Sequence, residues 1–176
     1  MVIAFIVSCI AMALDQITKF LVYGTAARSI IGNFLWFEST LNTGVAFSML
    51  QGKTYLFITL SVISSVVFVY LIVSKRFFKS KVEKVCLGAI LGGTVGNLID
   101  RLIFKGVRDF IYLKFLNFAI FNVADIAIVV GSIFLCIYIL IDAFIFKEKD
   151  NNVSIKSNNS SKDIDNPNKE EKNDWT

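Results

Sequence analysis

Carboxylates are the strongest candidates for chemistry in this 176-residue chain, because it contains no histidine. The absence of histidine excludes Ser-His-Asp and Cys-His catalysis and zinc sites built on imidazole. Cys9, Cys86 and Cys136 lie far apart in apolar runs and form no C-x-x-C pair, so we expect no metal or redox site. Seven acidic residues lie outside the segment 147–176: Asp15, Glu38, Glu83, Asp100, Asp109, Asp125 and Asp142.

Asp109 and Asp125 are the best candidates for a catalytic pair. Neither has an evident cation one helical turn away, and the topology derived below puts both on the outer side of a membrane at similar depth. Two carboxylates in contact cannot both ionise easily, so they share a proton and one pKa rises. Such a pair supplies a general acid and a general base, and aspartic proteases use it to direct water at a peptide bond.

Two further groups of polar residues allow a structural or a functional interpretation. Lys19 follows Asp15 at i+4, either as a self-neutralising pair or as a clamp on a nearby polar site. Asn97, Asp100 and Arg101 share a helix face and follow a run with three glycines. These residues could serve close helix packing with an ion pair, or they could support a nearby functional site. We assign no role to Glu38, Glu83 and Asp142.

Long apolar runs indicate the elements that must position these residues. The chain is 55% hydrophobic and 18% charged, with a mean hydropathy of +0.65, which argues against a soluble enzyme. Residues 1–23, 54–74, 85–104 and 122–146 are each long enough for a helix that crosses the hydrocarbon. We therefore predict an all-α membrane protein with four transmembrane helices. Cleavage of the first run as a signal peptide, or its lipidation at Cys9, fits the residues less well.

Basic residues predict the orientation of the spans. Lys75, Arg76, Lys79, Lys81 and Lys84 lie between spans two and three, so this loop should be cytoplasmic, together with both termini. Segments 24–53 and 105–121 should then lie outside, and the aromatic and β-branched residues at 30–37 predict short strands there. Residues 1–146 should form the membrane domain, and the polar residues 147–176 a disordered cytoplasmic tail.

Five motifs in order give the chain a family resemblance. They are Asp15-Gln16-Ile17-Thr18-Lys19, Asn42-Thr43-Gly44-Val45-Ala46-Phe47, the segment 92–101 from Gly92 to Arg101, Val107-Arg108-Asp109-Phe110, and Phe121-Asn122-Val123-Ala124-Asp125. With these motifs on four spans, residues 1–146 resemble lipoprotein signal peptidase (signal peptidase II), an inner-membrane aspartic protease family of bacteria.

The resemblance implies removal of signal peptides from prolipoproteins, by cleavage on the amino side of a cysteine that carries diacylglycerol. It implies Asp109 and Asp125 as the catalytic residues, no cofactor or metal, globomycin inhibition, a monomer in contact with membrane lipids, and no nucleic-acid partner. It further implies a small β-sheet cradle in the first outer loop and a lid at residues 105–121. The supporting residues would be Asp15, Lys19, Asn42, Gly44, Asn97, Asp100, Arg101, Asn122 and Ala124.

Two positions depart from the family pattern, and two other classes of protein stay open. Arg108 replaces a small apolar residue, and we expect its charge to reach the lipid headgroups along an apolar stem. Ile126 replaces a common serine, which removes one hydrogen bond near Asp125. Of the other classes, the first is a proton-conducting transporter, which would need acidic groups through the full depth of the membrane. The second is a noncatalytic membrane scaffold, whose depletion would leave prolipoprotein processing unchanged. The Gly-x-Gly-Asp motif of other intramembrane aspartyl proteases is absent.

Overall fold

A computed structural model describes residues 1–44, 53–74, 78 and 80–164, with residues 146–164 as backbone. Of the residues used above, Val45-Ala46-Phe47, Lys75, Arg76, Lys79 and the segment 165–176 lie outside the described part. The elements in chain order are α1 (Val2–Val22), β1 (Arg28–Ile31), β2 (Leu35–Asn42), α2 (Thr54–Val73), α3 (Lys81–Phe104), β3 (Val107–Leu113), a 3₁₀ turn (Lys114–Leu116) and α4 (Val123–Ile164).

Four helices are long and apolar enough to cross a membrane, as the sequence predicts. The spans are Val2–Val22, Thr54–Val73, Lys81–Phe104 and Val123–Ile145. Large apolar side chains are exposed on their outer faces, for example Phe20 on α1 and Val66 on α2. Exposure of apolar side chains to lipid tails costs little free energy, whereas exposure of the same surface to water is unfavourable. These features describe a multi-pass membrane protein.

Helix α4 continues past the boundary that the sequence predicts. Its apolar part ends at Ile145, but the helical backbone runs on to Ile164. The polar segment 147–164 contains no glycine or proline that would end a helix. The chain divides into two compact units, Met1–Cys136 and Ile137–Thr176, and the site described below lies in the first. The boundary at residue 146 and the disordered cytoplasmic tail of residues 147–176 stay predictions.

Helix α3 packs closely against α1 and α4 through glycines. A Cβ atom added at Gly88 or Gly92 would meet the backbone of Ala4 or Ser8 on α1, and one added at Gly93 would lie 2.5 Å from the Ala124 carbonyl oxygen. Close approach of the backbones explains how short polar side chains on three helices can reach one another.

Three antiparallel strands form a sheet in the order β1-β2-β3. Thr40 on β2 pairs with Asp109 on β3, and Asn42 pairs with Val107. The two strands from the first outer loop agree with the predicted cradle. The third strand does not agree with the predicted lid, because residues 107–113 of that segment pair with β2, where their β-branched and aromatic side chains favour a strand. A lid role for the remaining residues up to 121 stays a prediction.

Candidate active site

Four charged side chains form a buried cluster between α1, α3 and β3. Lys19 Nζ lies 2.8 Å from Asp15 Oδ2 and 3.2 Å from Asp100 Oδ2. Arg108 Nη2 lies 2.7 Å from Asp100 Oδ1. The predicted ion pair between Asp15 and Lys19 is thus confirmed. Two cations balance two carboxylates, so no net charge is buried, and each charge has hydrogen-bonding partners.

Gln16 joins this cluster as a site residue that was not predicted from the sequence. Its Nε2 donates to Asp15 Oδ2 at 3.1 Å, to Asp100 Oδ1 at 3.2 Å and to the Gly96 carbonyl at 3.0 Å. Its Oε1 accepts from Arg108 Nη2 at 2.9 Å. A carboxamide beside an aspartate in an apolar run was the available signal, because a polar group within a span needs a partner.

Arg108 does not reach the lipid headgroups, so that expectation was wrong. The residue is 7% exposed, and its Nε donates to Asp100 Oδ2 at 3.3 Å. Its guanidinium carbon lies 4.4 Å from the centroid of the Phe104 ring. Asp100 offers a buried anion within reach, and a two-point contact with a carboxylate outweighs the solvation available at the membrane surface.

Helix α4 begins with a reciprocal cap that includes Asp125. Asn122 Oδ1 accepts from the Asp125 backbone N–H at 3.0 Å, and Asp125 Oδ2 accepts from the Asn122 backbone N–H at 3.2 Å. The Ala124 N–H donates to Asp15 Oδ1 at 2.9 Å. The first N–H groups of a helix lack intrahelical partners and carry partial positive charge, so acidic side chains are stabilised there. The Asn-x-x-Asp spacing therefore positions Asp125 at the start of the last span.

Asp109 is held by two carboxamides from different elements. Asn122 Nδ2 donates to Asp109 Oδ1 at 2.6 Å, and Asn42 Nδ2 donates to Asp109 Oδ2 at 3.0 Å. Asn42 lies two residues from Thr40, the strand partner of Asp109, so both side chains share a face of the sheet. Asn42 Oδ1 accepts from the Gly44 N–H at 3.0 Å, which fixes the orientation of the amide.

The pKa of Asp109 is raised from 3.8 to about 6. Burial is the largest cause, because only 3% of the residue is exposed and a low dielectric disfavours the charged form. The charge of Asp125 raises this pKa further, whereas the hydrogen bonds from Asn122 and Asn42 lower it. A carboxyl with such a pKa can take up and release a proton near neutral pH, as general acid–base chemistry requires.

Asn97 connects the buried cluster to Asp125 directly and to Asp109 through Asn122. Its Oδ1 accepts from Lys19 Nζ at 2.9 Å and from Asn122 Nδ2 at 3.2 Å, and its Nδ2 donates to Asp125 Oδ1 at 2.8 Å. Lys19 and Asn122 both need an acceptor, so the Asn97 amide is oriented with its nitrogen toward Asp125.

Asp109 and Asp125 line the same cavity, which has a volume of about 300 Å³. Arg101 is also in its wall, and its Nη1 donates to the Asn97 carbonyl at 3.3 Å while its guanidinium lies 5.7 Å from the Phe57 ring centroid. A second cavity of about 300 Å³ has a mostly apolar lining and shares Asp125, Phe118, Phe121 and Val129 with the first. Its other lining residues are Leu113, Ile126 and Val130.

A family model described as signal peptidase (SPase) II matches residues 7–141. The chain belongs to the signal peptidase II family. The family resemblance of the five sequence motifs is thereby confirmed. Within the described residues, no group of three or more Cys, Asp or Glu side chains is arranged to hold a metal ion.

Relatives and solved structures agree with this membership. The lipoprotein signal peptidase of Enterococcus faecalis is 39% identical over 155 residues, which cover 86% of this chain and 96% of the relative. That of Shouchella clausii is 42% identical over 132 residues, with 73% and 86% covered. A bacterial membrane enzyme structure solved at 2.3 Å by the in meso method superposes with a TM-score of 0.72 at 28% identity, over 80% of this chain and 88% of that chain.

All the site residues predicted for this family member lie in one connected hydrogen-bonded group. The group contains Asp15, Lys19, Asn42, Gly44, Asn97, Asp100, Arg101, Asp109, Asn122, Ala124 and Asp125. Gln16 and Arg108 are added to it by the structure. The catalytic and supporting roles of these residues stay predictions.

Proposed function

We propose that this chain is a membrane aspartic endopeptidase that removes the signal peptide from diacylglyceryl-modified prolipoproteins. Cleavage would fall on the amino side of the lipidated cysteine. The observation that carries the proposal is the shared cavity of Asp109 and Asp125, in which every carboxylate oxygen accepts a hydrogen bond from a nitrogen donor. Relatives named lipoprotein signal peptidase support the class of substrate.

In the proposed mechanism the two aspartates act on one water molecule. The ionised carboxylate takes a proton from the water, while the protonated carboxyl polarises the scissile carbonyl and later protonates the leaving amine. The pKa of Asp109 is raised to about 6, so this residue can take up a proton near neutral pH and is the proposed general acid. Asn122 contacts both aspartates, through its side chain to Asp109 and its backbone N–H to Asp125, and so maintains their relative position.

The apolar cavity beside Asp125 is the proposed site for part of a substrate acyl chain. Its lining of Phe, Leu, Ile and Val side chains resembles the hydrocarbon that the acyl chain leaves, so entry of the chain requires little desolvation. The acyl chain would then bring the adjacent peptide bond to the aspartates.

A proton-conducting transporter is the principal alternative, and the geometry does not favour it. Such a path needs acidic groups spread through the depth of the membrane. In the described part of the chain, Asp15, Asp100, Asp109 and Asp125 instead belong to a single connected group. Balanced ion pairs bind two of these four carboxylates to cations, which does not suit a stepwise proton relay.

We further propose that both termini face the cytoplasm, that the site faces the opposite side, and that globomycin inhibits the monomeric enzyme. The basic loop between α2 and α3 supports this orientation. Fusions at the C-terminus test it: a fluorescent protein should fold there, whereas alkaline phosphatase should stay inactive. The opposite pattern would contradict the orientation.

Cleavage by the purified protein tests the proposed function. The substrate is a prolipoprotein peptide with a diacylglyceryl cysteine, and mass spectrometry locates the broken bond. We expect a cut before the lipidated cysteine, sensitivity to globomycin, and a loss of about 10²–10⁴-fold in both Asp109→Asn and Asp125→Asn. Glu38→Gln is the matched control on the same sheet and should retain activity. Full activity in either aspartate variant would overturn the assignment.

A further inference from the structure

Arg108 lies on the opposite side of β3 from the residues that hold Asp109. Its side chain contacts Asp100 and Gln16, whereas Asp109 contacts Asn42 and Asn122. Successive residues of a strand point in opposite directions, so whatever fixes the Arg108 side chain also fixes the backbone that carries Asp109. The Arg108 backbone N–H adds to this by donating to Asp100 Oδ2 at 2.9 Å.

Arg108 and Lys19 both contact Asp100. The Lys19 ammonium contacts Asp15, Asp100 and the Asn97 carboxamide at the same time. Arg108 is the second cation on Asp100, and without it the cluster would hold one unbalanced negative charge. Lys19 would then be drawn toward Asp100 and away from the Asn97 oxygen, and the Asn97 nitrogen would lose its fixed direction toward Asp125.

The shape of the guanidinium matters as well as its charge. Arg108 contacts both oxygens of Asp100, at 3.3 and 2.7 Å, and its guanidinium carbon lies over the Phe104 ring, 4.4 Å from the centroid. The Tyr23 ring centroid is 6.0 Å away. A lysine could supply the charge, but it could neither contact both oxygens in this planar arrangement nor stack on an aromatic ring in the same way.

We propose that Arg108 is a positioning residue for both aspartates, acting on Asp109 through β3 and on Asp125 through Asp100, Lys19 and Asn97. This inference rests on the proposed function. It concerns an arginine where the family resemblance predicts a small apolar residue, so it describes how this particular chain supports its site.

Steady-state cleavage kinetics on Arg108→Met and Arg108→Lys test the inference. We expect Arg108→Met to lower kcat per folded enzyme at least tenfold, with KM changed less than threefold, because Arg108 is buried and does not line the cavity of the two aspartates. Arg108→Lys should recover part of kcat, because it restores charge balance without the planar contact. Arg28→Met is the matched control, since Arg28 is an exposed arginine of the same sheet whose guanidinium lies over the Phe37 ring.

The folded fraction of each variant is measured by size-exclusion chromatography and thermal unfolding, and kcat is expressed per folded molecule. A residue that only stabilises the fold would leave that kcat unchanged, and this result in Arg108→Met would overturn the inference. If Arg108→Met does not fold, Arg108→Lys decides the matter: a kcat equal to that of the unchanged protein overturns the inference, and a reduced kcat supports it.

A measurement independent of cleavage separates this inference from the proposed function. Infrared difference spectra against pH follow the Asp109 carboxyl, identified by its loss in Asp109→Asn. The charged groups that face Asp109 are Asp125 on α4, Lys19 on α1 and Arg101 on α3. If the unchanged protein fails to cleave prolipoprotein, the proposed function fails. An altered Asp109 titration in Arg108→Met would then still support the positioning role, and an unaltered one would overturn it.

Discussion

Asn42 and Asn122 each donate a hydrogen bond to one oxygen of Asp109 and thereby stabilise its ionised form. Burial and the charge of Asp125 have the opposite effect and are stronger, so the pKa is about 6 rather than 3.8. The pKa of Asp109 therefore depends on its burial, on the charge of Asp125 and on the two amide donors, and separate substitutions can change each of these contributions.

Removal of one amide donor should raise the pKa of Asp109. Asn42→Ala deletes a hydrogen bond to the ionised form, and such bonds are worth about 1.5–3 kcal/mol, which corresponds to a rise of about one pH unit or more. If Asp109 must be protonated for catalysis, the alkaline limb of kcat/KM should move to higher pH by that amount. Ser39→Ala, on the same strand, should leave it unchanged. A limb that stays in place or moves to lower pH in Asn42→Ala would contradict the assignment.

Asp109→Asn should become more stable, relative to the unchanged protein, as the pH rises. The folded chain binds the Asp109 proton more tightly than the unfolded chain, so the folded state loses stability between about pH 4 and pH 6. Asparagine does not ionise and avoids this loss, which is at most about 3 kcal/mol. Thermal unfolding in detergent at pH 4 and pH 7 measures the difference. Equal pH dependence in the variant and the unchanged protein would show that Asp109 has an ordinary pKa.

Residue-level geometry was predictable where the spacing lies within one element. The Asp15–Lys19 pair follows from one helical turn, and it forms as expected. Arg108 was not predictable in this way, because its partner Asp100 lies on another element and nothing in the sequence shows that β3 folds back against α3. The ion pair and the buried position of the guanidinium depend on that tertiary contact.

At the scale of elements, glycines on α3 determine how near its neighbours can come. Gly88, Gly92 and Gly96 recur every fourth residue and face α1, where added Cβ atoms would meet Ala4, Ser8 and Asp15. The absence of side chains at these glycines lets α1 approach α3 closely. This approach brings Lys19 on α1 into contact with Asn97 and Asp100 on α3.

Gly96→Ala should disrupt the site more than Gly131→Ala. The new Cβ at residue 96 would lie 2.6 Å from Asp15 Oδ2 and displace a carboxylate that binds Lys19 and caps α4. We expect prolipoprotein cleavage to fall at least tenfold, although alanine favours a helix over glycine by about 1 kcal/mol. At Gly131 the nearest atoms are Ile90 Cγ1 at 3.0 Å, part of a side chain that can shift, and the Cys86 carbonyl oxygen at 3.1 Å, so the contacts are less severe than at Gly96. Similar activities of the two variants would contradict this explanation.

Element type was predictable from composition, but strand pairing was not. Apolar runs indicate the four spans, and aromatic and β-branched residues at 30–37 indicate strands. Residues 107–113 have the same character, yet their pairing with β2 joins segments separated by a transmembrane hairpin of α2 and α3. Local sequence carries no signal for such a long-range pairing, so the segment was expected to be a lid.

At the scale of the whole molecule, the family match and the site end before the polar C-terminal segment. The match covers residues 7–141, and the described site residues reach no further than Asp125. Residues 147–176 contain six lysines and seven acidic residues, so their net charge is close to zero. A contribution of this segment to cleavage is therefore not expected.

Truncation after Phe146 should leave prolipoprotein cleavage within about twofold of that of the full chain. The variant retains every residue of the connected group and the apolar part of α4, which ends at Ile145. Cleavage assays on membranes with matched protein levels measure this, and inactive Asp125→Asn gives the background. A large loss of activity at equal protein level would assign a function to residues 147–176.

The cap at the start of α4 has a consequence for biosynthesis. Asp125 and the amide of Asn122 arrive with the last span, and Ala124 attaches that span to Asp15 at the beginning of the chain. A nascent chain that has inserted three spans therefore carries Asp109 without its counterpart. The proposed protease would therefore be inactive during synthesis and would acquire its complete site only when the last helix packs against the others. An incompletely inserted chain would then not hydrolyse peptides in the membrane.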